Sequence, residues 1–464
     1  MFDRDVYRAR REGLRRGLGP GIALFLGNDE SPMNYADNTY RFRQDSSFLY
    51  YFGLDTAGLA ATIDLDEGTE ILYGPELTVE DFVWTGPLPS LKDRAARAGV
   101  ERVLPPSRLA EDLARSRQSG RMIHFLPPYR PENKLKLSAW LGVPPDRASA
   151  EASVSFIRAV VEQRSVKSPE EIAEIERAVD VSVDMHLTAL RMARPGVTEA
   201  EIAAAVHRVA RAAGGDLSFP IIATIHGEVL HQHAQTETLK SGGMFLLDAG
   251  AETALHYAGD LSTTMPVDGR FTGRQKDVYR IALAAHETAK AALKPGAPHL
   301  DVHLAACGTI AEGLKGLGLM KGDLDEAVRK GAHALFFPCG EGHMMGLDVH
   351  DMEDLGEVYV GYEGRPKSTQ FGLKSLRLAR PLQPGFVVSV EPGIYFIPQL
   401  IDQWRSEGRF RDFIDYDRVE AYRDFGGLRN EENALITADG YRVLGRRKPL
   451  TIEEVESAME RADR

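Results

Sequence analysis

The chain has 464 residues, 43% of them hydrophobic and 27% charged, which is too long for one ordinary core and predicts two domains. A formal charge of -12 argues against nucleic acid as a primary partner, because phosphate binding needs a basic surface. Two cysteines, Cys307 and Cys339, give no disulfide framework and fit a reducing cytoplasm, and no segment approaches the length of a membrane span.

In chain order, the basic start (Arg8, Arg10, Arg11, Arg15, Arg16) precedes an apolar run at 22–26 that is too short for a secretory h-region. Segments 60–65 and 70–74 read as hairpin strands around Asp66-Glu67-Gly68, and 122–126 reads as a further strand before Pro127-Pro128. Segments 91–98 and 107–116 have helical composition. Residues 1–164 are therefore expected to form a small α/β domain. The boundary is expected at 164–167, and 165–464 to form one catalytic domain. Ser168-Pro169-Glu170-Glu171 combines an N-cap, an N1 proline and a capping-box glutamate, so a helix starts there. Thr198-Glu199-Ala200-Glu201 repeats the capping box after Pro195-Gly196.

Five residues in the second half then stand out. Asp248 closes the apolar run 244–247, Asp260 precedes 261–266, and His343 follows Gly342. Glu391 closes the run 386–390, and Glu431 ends Gly427-Leu428-Arg429-Asn430. Each alone is ordinary, since an Asp at a strand end is usually a cap or turn residue. Together, four carboxylates and one imidazole suit hard or borderline divalent ions, manganese before zinc or cobalt, and carboxylates can bridge two of them.

The segments 245–266, 340–351, 382–396 and 425–437 resemble, in that order, the pita-bread metallopeptidases: prolidase, aminopeptidase P and methionine aminopeptidase. Segment 41–48 resembles the N-terminal domain shared by the first two and absent from the third. The resemblance implies a catalytic domain with a curved antiparallel sheet backed by helices, holding two divalent ions on Asp248, Asp260, His343, Glu391 and Glu431. Glu391 matches the ligand that also handles the proton of the attacking water, and Glu431 the bridging carboxylate. Glu432, its neighbour, should face the other way by strand alternation. Arg429, on the same face as Glu431, should orient a ligand. His350 matches a group donating to the substrate carbonyl or tetrahedral intermediate. His231 matches a further active-site histidine, with His233 as its alternate. Trp84 resembles an aromatic that reaches a partner subunit's site, so a homodimer is implied; a core or interface tryptophan is the plainer reading.

Two departures appear. The aspartates are 12 residues apart where 11 is usual, which places an extra residue in the turn near Ala254-Leu255. Cys339-Gly340-Glu341-Gly342-His343 stands where relatives often carry His-Gly-x-Gly-His, which bears on substrate preference. The expected reaction is hydrolysis of an Xaa-Pro bond. Prolidase is favoured, with segment 402–417 closing the pocket and Arg418 and Arg423 as a carboxylate clamp. Aminopeptidase P, acting on longer peptides, is the alternative, and a metal-free binding module the remote one.

Overall fold

A computed structural model describes residues 1–460. These fall into two compact units, Met1–Arg164 with Met352–Tyr359, and Ser165–Asp351 with the chain from Val360 onward.

The first unit is built on a five-stranded mixed sheet. Ile22–Leu26 pairs antiparallel with Ala60–Asp64 and parallel with Ile123–Phe125. Ala60–Asp64 continues through the hairpin to Glu70–Tyr73, which pairs parallel with Arg102–Leu104. The short apolar run near the start is thus an interior strand. Its Phe25 ring packs 5.0 Å from Tyr51, 5.2 Å from Phe156 and 5.3 Å from Phe52, centroid to centroid. Aromatic pairs of this kind add about 0.5–1.5 kcal/mol each beyond the area they bury.

The second unit opens with the helix Pro169–Met192, started by the reciprocal Ser168–Glu171 capping box, and Glu199–Ala212 starts with the same device at Thr198 and Glu201. Two further helices, Gly273–Ala292 and His299–Gly316, pack together. The strands form two three-stranded antiparallel sheets. One runs Ser262–Pro266, Met244–Asp248, Ile222–Thr224; the other runs Val387–Val390, Glu432–Ile436, Tyr441–Val443. Gly393–Tyr395 pairs with Gly427–Arg429 in a separate ribbon.

Mixed contacts join the first sheet to the strands at 429–433. Glu431 N donates to Ser262 O at 3.1 Å. Arg429 N donates to Thr264 Oγ1 at 3.1 Å, and that hydroxyl donates back to Arg429 O at 3.0 Å. The Asn433 amide spans Asp260, accepting from its N–H at 3.0 Å and donating to its carbonyl at 2.7 Å. These bonds use strand ends whose ladder positions would otherwise be left unsatisfied in the interior. Their effect is to bring Asp248, Asp260 and Glu431 together. Among the described residues no helix is long and apolar enough to cross a membrane.

Candidate metal centre and its cavity

A cavity of about 570 Å³ receives Asp248, Asp260, His343, Glu391 and Glu431 together. Asp248 is the last residue of its strand, Glu391 follows Val387–Val390, and Glu431 lies in the break between Gly427–Arg429 and Glu432–Ile436. Neighbouring residues in extended backbone point to opposite faces. Glu431 reaches the cavity, while Glu432 turns away to Lys290 Nζ at 2.8 Å.

The two aspartates are linked by a tight turn. Thr253 N donates to Tyr257 O at 3.0 Å, and His256 inside it has φ 68°. A left-handed non-glycine residue is uncommon; here the His256 ring is held by Glu252 Oε1 at 2.8 Å. The strands on either side of this turn pair in unbroken antiparallel register.

His343 Nδ1 donates to Met344 O at 3.1 Å, which leaves Nε2 facing Asp260 Oδ2 (3.3 Å) and Glu391 Oε1 (3.4 Å). Ser389 Oγ accepts from His343 N at 3.0 Å and donates to Glu391 Oε1 at 3.2 Å, fixing both. Asp260, His343 and Glu431 each bring a donor atom within 4.8 Å of the other two. Arg429 orients the opposite side. Its Nη2 donates to Asp248 Oδ2 at 2.5 Å, its Nε to Ser262 Oγ at 2.9 Å and its Nη1 to Tyr395 OH at 2.8 Å.

The electrostatics are costly as they stand. Asp248, Asp260 and Glu431 are buried, and one oxygen of each (Oδ1, Oδ1, Oε1) has no hydrogen-bond partner. Burial, reinforced by Asp260 and Glu391 and opposed by Arg429, pushes the Asp248 carboxyl up to about 7. Burial and then Asp260, Glu391 and Asp248 push Glu431 well above the usual range. Like charges at this spacing need cations to ionise together. The donor set is hard oxygen with one imidazole, and its unused oxygens face the same space, so it fits divalent ions of the manganese type.

The rest of the cavity wall is mixed. His350 stacks edge-on to His343, with ring centroids 4.3 Å apart. His231 lines the mouth with His233, their rings 6.4 Å apart. Burial, then the positive charges of Arg429 and Arg377, hold the His231 imidazole below its usual value. Cys339 lines the wall too, its thiol pushed up to about 12 chiefly by burial, so it is a neutral neighbour of the carboxylates.

Three expectations need correction. Arg418 is exposed and lies over Gly318, and Arg423 is committed to Asp402 through two bonds of 2.6 and 2.7 Å; neither lines the cavity. Both stand outside the carboxylate clamp assigned to them. No residue of 402–417 lines the cavity either. Instead Trp404 packs edge-on against Phe371, centroids 5.7 Å apart, and Phe371 with Ser375 and Arg377 forms the wall. The arginines that do reach the cavity are Arg377 and Arg429. The sequence pattern alone did not single out Arg377. Trp84 sits in the helix Val79–Thr85, which has no buried residue, and is 79% exposed; the core reading of it is excluded.

A family model, Metallopeptidase family M24, matches residues 173–438, and another, Aminopeptidase P, N-terminal domain, matches residues 7–124. The Xaa-Pro dipeptidase of Homo sapiens is 30% identical, the match covering 96% of this chain and 89% of that protein. The probable Xaa-Pro aminopeptidase of Metarhizium acridum is also 30% identical, over 93% and 89%. Among solved structures, aminopeptidase PepP of Pseudomonas aeruginosa superposes with a TM-score of 0.82 at 26% identity, over 100% and 99% of the two chains. An Escherichia coli aminopeptidase P variant in complex with substrate gives 0.82 at 28%, over the same shares. The chain belongs to metallopeptidase family M24.

Proposed function

We propose that this family M24 metallopeptidase hydrolyses the bond between a first residue and a following proline, and that its preferred substrate is the free Xaa-Pro dipeptide. The observation that carries the hydrolase reading is the convergence of Asp248, Asp260, His343, Glu391 and Glu431 in one cavity with unpartnered oxygens. The dipeptidase, aminopeptidase and full-length structural relatives support the proline preference.

In this reading the five residues hold two divalent ions, manganese being the choice the donor set favours. When bound, the ions supply Lewis acidity: an activated water at neutral pH and a polarised carbonyl. Glu391, held by Ser389, takes the water's proton as the new C–O bond forms. His350 donates to the oxygen that gains charge. As the C–N bond breaks, Glu391 returns the proton to the proline nitrogen, which has no hydrogen of its own. Arg429 holds Asp248 in its ligating position. His231 at the cavity mouth contacts the residue beyond the scissile bond. Phe219, Pro220 and Phe371 offer apolar surface for the ring.

Arg377 carries the dipeptidase choice. A guanidinium in the cavity wall provides a bidentate partner for a free carboxylate immediately after the scissile bond. The aminopeptidase reading has its own support in the full-length likeness to aminopeptidase P structures. Manganese-loaded protein offered Ala-Pro and Ala-Pro-Ala side by side, with free alanine quantified, decides between them. Faster release from the dipeptide, lost in Arg377→Met with little change on the tripeptide, is expected. Preference for the tripeptide overturns the carboxylate role.

The exposed helix Val79–Thr85, with Val79 78%, Val83 74% and Trp84 79% exposed, supports assembly as a homodimer through that face. Sedimentation should give twice the chain mass, and Trp84→Asp should shift the protein toward one chain.

A further inference from the structure

A second group of metal-type donors lies outside this cavity. The helix His299–Gly316 carries His303 and Cys307 four residues apart, on one face. The helical turn Ala332–Leu335 adds His333. All three are fully buried. Each offers a donor atom within 4.8 Å of the other two, and His303 Nε2 lies 3.4 Å from Cys307 Sγ.

The plain reading is a buried thiol donating to an imidazole. That leaves too much unexplained. His303 Nδ1 meets no hydrogen-bond partner, and the His333 ring has none beyond the nearby Val328 carbonyl. A buried polar group without a partner is destabilising, and an apolar side chain of similar size would avoid the loss. Beside Cys307, Glu341 is also fully buried, and neither of its carboxylate oxygens is hydrogen-bonded.

We propose that His303, Cys307 and His333 form a second, chemically different metal site that takes a borderline-to-soft divalent ion, with zinc as the type. One thiolate and two imidazoles select zinc over the hard ions suited to the carboxylate centre. Zinc with bonds of about 2.0–2.1 Å to nitrogen and 2.3 Å to sulfur holds its ligand atoms about 3.3–3.7 Å apart. The 3.4 Å sulfur–nitrogen separation already meets that spacing. On binding, the thiol proton leaves to solvent and a Zn–S bond forms, with no change in oxidation state. The ion would tie the helix His299–Gly316 to the turn just ahead of Cys339 and His343, so its role is to fix the base of the catalytic segment.

Because the donors are buried, the ion enters as the chain folds, and the test uses protein produced with cobalt in the growth medium. Bound metal is counted and the near-ultraviolet spectrum recorded. A thiolate-to-cobalt charge-transfer band is expected, since the carboxylate centre contains no sulfur ligand. Cys307→Ala should abolish the band and remove about one metal equivalent per chain, and His333→Ala should weaken it. Cys339→Ala and Asp260→Asn should leave it in place. X-ray absorption at the zinc edge of unaltered, zinc-grown protein should show a sulfur neighbour, which needs no variant to fold. Absence of sulfur from that spectrum, a band that survives Cys307→Ala, or one that disappears with Cys339→Ala, overturns the proposal.

Discussion

The first unit and the carboxylate cavity of the second bury charge in opposite ways. In the first, Arg11 is fully buried, and protein groups answer its charge. Its guanidinium donates to Tyr51 O at 2.8 Å and Ala98 O at 3.0 Å and pairs with Glu70 at 2.8 Å. In that cavity, Asp248, Asp260 and Glu431 are also buried, yet each keeps an oxygen open. A charge whose partners are all protein fixes a fold. A charge left partly unanswered keeps capacity for a ligand and lowers the stability of the ligand-free chain. The difference separates a scaffold from a site, and it does so within one polypeptide.

The largest expected effect breaks the site. Asp260→Asn should cut kcat/KM on an Xaa-Pro substrate by about 1000-fold or more, roughly 4 kcal/mol. The same change should stabilise the metal-free protein toward denaturant by about 1 kcal/mol, because it removes like charge beside Asp248 and Glu431. Lower stability in the metal-free variant would erase that contrast.

Breaking the scaffold should look different. Arg11→Ala strands Glu70 and two buried carbonyls and should cost about 2–4 kcal/mol of unfolding free energy, read from urea midpoints. Turnover per folded molecule should hardly change.

Acid sharpens the comparison with a smaller effect. Burial holds His186 down to about 3 and His299 to about 4. His186 is further fixed as a neutral ring, donating from Nε2 to Ala249 O (3.0 Å) and meeting Thr263 Oγ1 at Nδ1 (2.9 Å). The unfolded chain binds these protons below about pH 6.5, whereas the folded chain resists until pH 3–4. Stability is therefore full above pH 6.5 and falls as pH drops, each group adding up to about 1.4 kcal/mol per pH unit. Urea melts at pH 7.5, 6 and 5 check the slope. A flat profile would mean these rings gain protons without unfolding.

Much of the frame was legible in order along the chain. The capping boxes at Ser168 and Thr198 start helices through contacts three residues apart, so sequence suffices to find them. Asp248 at the end of an apolar strand and Arg429 two residues before Glu431 follow from the same short-range rules. Other features depended on distant segments meeting. Arg377, rather than Arg418 or Arg423, reaches the cavity because the irregular stretch 361–383 folds inward, and no periodicity marks that path. Arg423 looked available until Asp402, 21 residues earlier, was found on it. Trp404 acts on the cavity only through Phe371. His303 and His333 become neighbours by packing of a helix against a turn, a relation that spacing in the chain does not encode. The sequence by itself determined the helices, the strand ends and the type of donor atoms, because those depend on residues within one or two turns of each other. Only the tertiary structure decided which of those donors share a cavity, which are already satisfied and which are left open, because burial and pairing are set by contacts between segments far apart in the chain.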